Sequence, residues 1–152
     1  MAGWTNKGKY EALALMFRTW TRETNYFIIL FTSATAPDAD TNTVSDHTQI
    51  ATGNGYSDGG YSLTPGDTDF DVATEDDAND RGLVQIKDVV WSASGGSIPD
   101  TGDGARYAAL TDDNGTVADR EIYQYWDLSS DRSVSDGQDL TLQDLEIRIN
   151  ES

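Results

Sequence analysis

The sequence predicts a mainly β protein, an antiparallel β-sandwich or β-barrel of about seven or eight strands with one N-terminal helix. Three observations carry this. Turn-forming clusters of Gly, Asn, Asp, Ser and Pro recur about every ten residues. Between them lie short runs rich in β-branched and aromatic side chains, such as YFIILFT and LVQIKDVVW. Only one stretch repeats its apolar residues at helical spacing.

That stretch is residues 5–22, where Tyr10, Leu13, Phe17 and Trp20 recur three or four apart with Ala14 among them. Thr5 or Asn6 can cap its start. Residues 26–32 form an apolar run too short for a second helix, and read as a strand buried on both faces. A polar loop with Pro37 follows, then a Gly-rich region from residue 49 to 63, then a short strand around Phe70 and the acidic turn EDDANDRG. Residues 83–91 alternate well enough to be a strand with one buried face, but Val84 and Ile86 are out of phase with Val89 and Trp91. A β-bulge near Asp88 would reconcile them.

Residues 105–111 read as a strand joined through TDDNGTVADR to residues 121–128, with Asn114 and Gly115 supplying the turn. In EIYQYWDL the alternation places Ile122, Gln124, Trp126 and Leu128 on one face and Tyr123 and Tyr125 on the other. The closing strand repeats the phase change: Leu140 and Leu142 agree with each other, whereas Leu145, Ile147 and Ile149 are opposite in phase. A second bulge is expected at Gln143 and Asp144, bending both strands round a nearly closed structure.

A chain of 152 residues fits a single domain, residues 1–152, with a helical segment at 1–24 and a β body at 25–152. The charge is divided unevenly. Residues 1–24 hold four bases and two acids, whereas residues 25–152 hold six bases and 25 acids, within a net charge of −17. Nucleic acid and anionic membranes are therefore not expected as partners. Cysteine is absent, so neither disulfides nor thiolate chemistry arise. No segment reaches the roughly 20 apolar residues of a membrane span, and no signal-peptide pattern opens the chain, which reads as soluble and unprocessed.

Motifs for chemistry are sparse. Asp67, Asp69 and Asp71 have the spacing that opens an EF-hand loop, but Val72 replaces its Gly and Ala78 its closing Glu. No metal is assigned; a looser calcium site would draw on Asp67, Asp69, Asp71, Asp76 and Asp77, with Glu75 and Asp80 nearby, and solvated loop charge is the ordinary account of all of them. The single His47 has no sequence motif marking a serine, zinc or phosphate site around it. With 27 acids, some pair will stand at a workable distance for glycoside chemistry, so the pairing itself says nothing. No enzyme activity and no cofactor are expected. The four tryptophans and seven tyrosines exceed what a core needs. Trp91 and Trp126 fit core positions; Trp4, Lys7, Lys9, Tyr10, Arg18, Arg22, Tyr123 and Tyr125 are the interface candidates, and Tyr56, Tyr61, Tyr123 and Tyr125 could stack on a sugar. The helix itself can pack its apolar stripe on the sheet or serve as a docking arm.

Taken together, WTNKGKY, TNYFIILFTSATAPDADTNT, GNGYSDGGYSLT, TDFDVATEDDANDRGLVQIKDVVW and the closing ARYAALTDDNGTVADREIYQYWDLSSDRSVSDGQDLTLQDLEIRI resemble a family of small tailed-bacteriophage virion structural proteins. The resemblance covers nearly the whole chain and brings no catalytic motif. It implies a capsid decoration or cement protein bound to the major capsid protein lattice, located in the virion after assembly in the host cytoplasm. A tail or fibre component is the second reading and a carbohydrate-binding module the third. Partners would be other virion proteins and further copies of the chain, a homotrimer being one form.

Overall fold

The computed structural model describes residues 2–18 and 21–150, and these form a mainly β fold with one N-terminal helix. The main sheet has five antiparallel strands in the order β1 (Ala2–Trp4), β8 (Ile122–Arg132), β7 (Ala105–Thr111), β2 (Tyr26–Phe31) and β3 (Tyr61–Leu63). A second layer contains β10 (Leu145–Asn150), β5 (Arg81–Ile86) and β4 (Val72–Asp76), and beside them the pair β6 (Val89–Ser92) and β9 (Asp139–Leu142). Helix α1 (Asn6–Phe17) follows β1 and packs on β8.

The apolar run at residues 26–32 is buried on both faces, as its composition requires. Ile28 and Leu30 enter the core between the layers, where they meet Leu63, Ile86, Val89, Trp91, Ala108, Trp126, Leu140 and Leu142. Ile29 and Phe31 point the other way and join Ala109, Ile122 and Val44 beneath the loops that cover the outer face. Tyr56 belongs to the inner core, and its hydroxyl accepts the Leu30 N–H at 3.0 Å.

The phase changes of the two long strands are real, but their cause differs from the expected bulges. Leu145 stands opposite Ile86 and Leu142 opposite Val89, so Lys87 and Asp88 on one side match Gln143 and Asp144 on the other. No residue is inserted on either strand. Both strands leave the ladder together and re-enter it with their faces exchanged, which splits each into two elements. Asp144 takes a positive φ of 53° at this point. The break is tied by side chains: Gln85 donates to Asp144 at 2.8 Å, Gln143 to Asp88 at 3.1 Å, and Lys87 pairs with Asp69.

A bulge does occur, in β8. Leu110 faces Gln124 and Thr111 faces Ile122, so Tyr123 is the extra residue. This corrects the predicted face of EIYQYWDL: Ile122 turns into the outer cluster while Trp126 remains in the inner one. Strand β4 also starts at Val72, leaving Phe70 in the preceding turn with its ring edge-on to Tyr26. The helix is shorter than predicted and ends at Phe17; Trp20 lies outside the described residues.

Candidate functional site

Thr5 starts α1 as its N-cap. Its hydroxyl accepts the Gly8 N–H at 2.9 Å and donates to the Ile122 carbonyl, so one buried side chain caps the helix and fixes it to β8. Gly8 then lies against that strand so closely that a Cβ would stand 2.1 Å from the Tyr123 carbonyl oxygen. Because the approach is made at Gly8, the helix buries its small face, Gly8 and Ala14, together with Glu11. The buried Glu11 carboxylate is paired with Lys7, which also reaches Glu121 at 3.0 Å. Burial opposes charging of Lys7, but its hydrogen bonds to Glu121 and Glu11 outweigh that and raise its pKa.

The predicted apolar stripe therefore faces away from the core. Tyr10, Leu13, Met16 and Phe17 are 53%, 58%, 68% and 72% exposed. Periodicity correctly places Tyr10, Leu13 and Phe17 on one side of a helix, but it does not say which side docks. The signal that does is Gly8, whose missing Cβ permits the close approach to β8. Among the described residues, neither Lys9 nor Arg18 has a carboxylate partner, so the outward face of α1 is apolar and basic.

Two grooves flank the helix. One of about 700 Å³ lies between α1, β1 and β10, and Trp4, Leu13, Met16, Trp126 and Ile149 line it. The other, about 610 Å³, opens between α1 and the β4–β5 layer, with Leu15, Phe70, Leu83, Val84 and Ile147 on its walls. Trp4 lines both, and its indole N–H donates to the Arg148 carbonyl at 2.7 Å.

The other interface candidates divide. Arg22 is exposed and lines the second groove. Tyr123 is buried, with its ring 6.3 Å from Tyr26 and its hydroxyl donating to Glu23 at 3.2 Å, so it serves the interior. Burial foremost, and then the Glu23 charge, push the Tyr123 phenol pKa up. Tyr125 is half-buried beneath Gly3 of β1. Residues 2–9 are not a free arm, since β1 pairs with β8 through Ala2–Trp126, Gly3–Tyr125 and Trp4–Gln124.

The acidic loops do not assemble a calcium site among the described residues, where no group of three potential metal ligands is found. Asp69 is committed to Lys87 and to the Thr64 N–H, and Asp76 to Asn79 and Arg81. Asp67, Asp71 and Asp77 remain exposed. His47 approaches the Thr35 carbonyl through Nδ1 at 3.1 Å and packs its ring 5.0 Å from Phe31; among the described residues no serine hydroxyl or carboxylate hydrogen-bonds it. The expected sugar-stacking tyrosines form no platform: Tyr56 is in the core, Tyr123 is interior, and Tyr61 packs edge-on against Trp91. Comparison with protein-family models, with curated proteins and with solved structures finds no match.

Proposed function

We propose that this chain is a non-enzymatic structural subunit of a tailed-phage virion, in the first place a capsid decoration or cement protein on the major capsid protein lattice. The observation that carries the reading is the outward face of α1, where four large apolar side chains stand together on a strongly acidic chain. An apolar ridge of this kind is a contact surface by its physics, because leaving it in water forfeits the free energy of burying it. The sequence resemblance supplies the kind of assembly. The mechanism is mechanical: a contact made only on the assembled particle stabilises the assembled state by linkage.

A tail or fibre role uses the same ridge and differs in stoichiometry. The carbohydrate-binding reading keeps only Tyr61 and Tyr125 of its four tyrosines at the surface, since Tyr56 and Tyr123 are buried. Quantitative mass spectrometry of purified particles tests the proposal. Hundreds of copies per particle support decoration and a small number supports the tail; absence from the particle sinks both.

A further inference from the structure

We infer that the ridge on α1 is received by a second copy of this chain, in the groove between α1 and the β4–β5 layer, so that two copies exchange ridge and groove about a two-fold axis. This rests on reading the helix face as an assembly contact and adds its occupant. Three observations point to a copy of the chain. The groove is walled by Phe70, Leu83, Val84 and Ile147, an apolar surface matched to Leu13, Met16 and Phe17. The other groove beside α1 is not free for this ridge, because Leu13 and Met16 are themselves part of its wall.

The second observation is charge. The ridge is flanked by Lys9 and Arg18, which have no carboxylate partner among the described residues. The groove wall at Ala73, Thr74 and Gly82 continues into the β4–β5 hairpin, which bears exposed Glu75, Asp77 and Asp80. The basic ridge and this acidic hairpin are complementary in sign, with Arg22 of the groove lining belonging to the same basic N-terminal segment as α1, and two chains of net charge −17 would otherwise repel.

The third is placement. Ridge and groove adjoin the same helix, Ala12 and Leu15 lining the groove and Leu13, Met16 and Phe17 standing outside it. A surface that carries both knob and hole side by side can satisfy both at once when a copy is turned about a two-fold axis, which is the requirement of an isologous contact. Affinity comes from the apolar groups, while the exposed charge pairs set orientation and are individually small.

Sedimentation velocity of the full chain at physiological salt, across micromolar to high micromolar concentrations, tests this. The wild type should dimerise, and Phe17→Asp should be monomeric with unchanged circular dichroism and the melting temperature that the wild type shows at concentrations where it too is monomeric. The doubly reversed Lys9→Glu/Arg18→Glu should dimerise at least roughly tenfold more weakly. Adding Glu75→Lys/Asp77→Lys to it should restore the dimer. A wild type that stays monomeric, an oligomer other than a dimer, or a dimer indifferent to Phe17→Asp overturns the inference. Lack of rescue by the second charge reversal overturns the assignment of the groove. Particle incorporation is measured separately, so a monomeric chain that still enters particles removes this contact and leaves the virion role standing.

Discussion

The Trp4 indole N–H lies 2.7 Å from the Arg148 carbonyl oxygen and joins the first strand to the last. Trp126 makes the parallel contact two residues earlier on β10, donating to the Glu146 carbonyl at 3.1 Å. Glu146 and Arg148 are on the same side of the strand, since carbonyls two residues apart share a direction. Strands β1 and β10 are the edges of their respective sheets, and the two indoles do there what a neighbouring strand would do, covering part of an exposed edge.

Trp4→Phe keeps a ring and removes the donor. We expect a loss of about 0.5–1.5 kcal/mol in urea unfolding. Hydrogen exchange should quicken in β10 and stay unchanged in β2 and β7. Uniform quickening across both layers would show that the indole has no local role.

Gly8 sets the distance between α1 and β8. In an isolated helix, Gly→Ala gains about 1 kcal/mol of propensity, but here the added methyl would lie 2.1 Å from the Tyr123 carbonyl oxygen, which is backbone and cannot rotate away. Gly8→Ala should therefore destabilise by about 1–3 kcal/mol, the usual cost of overpacking. Chemical denaturation decides the sign, and a stabilised variant contradicts the close approach.

Acids divide into two classes, which gives the pH profile its shape. Asp127 is held down to about 2, first by the Arg106 hydrogen bond and then by the Ser129 N–H. Asp69 is lowered chiefly by Lys87, and Asp76 by Asn79 and then Arg81. Their stabilisation is complete above the unfolded carboxyl pKa near 4 and is lost as pH falls through the lower folded values. Glu23 and Asp112 are raised, in both cases by burial first, with Asp113 adding to the effect at Glu23. Ionising them opposes folding, so stability grows as pH falls from neutrality through their folded values. Thermal unfolding should show stability rising as pH falls from neutrality toward the unfolded carboxyl range near about 4, with a decline below that through the Asp127 titration. Glu23→Gln should raise stability at neutral pH and flatten the upper slope. A steady decline from neutrality downward would falsify this division.

Strand composition made much of the fold legible. The run at residues 26–31 announces a doubly buried strand, and the residues assigned to β7 are strand from Ala105 to Thr111. Phase changes at Asp88 and Asp144 were visible as parity, but parity cannot distinguish one inserted residue from a matched break in two paired strands. That distinction depends on the partner's register, which is a tertiary fact. The bulge at Tyr123 left no trace, because large side chains occupy both faces of EIYQYWDL in either phase. The candidate surface was visible as a stripe that could either pack on the sheet or dock a partner, since helical periodicity defines a face without a direction, and close packing at Gly8 turned the stripe outward.

Asp144 tests whether the matched break is encoded locally. Its φ of 53° lies in the left-handed region, which Asp tolerates better than most residues, and its carboxylate accepts the Gln85 amide at 2.8 Å. Asp144→Gly removes that hydrogen bond, worth about 0.5–1.5 kcal/mol, while easing the backbone. The two effects oppose, so the variant should lie within about 1 kcal/mol of the wild type. Asp144→Val loses the hydrogen bond and places a β-branched side chain at positive φ, for a combined cost of about 2–3 kcal/mol. Because Leu142 and Leu145 bury on either side of this residue, straightening the strand to relieve Val would rotate one of them out of the core. Urea unfolding of the two variants separates the cases. Equal stability of the Gly and Val variants would mean that the break is imposed by packing in the two layers and that Asp144 only accommodates it.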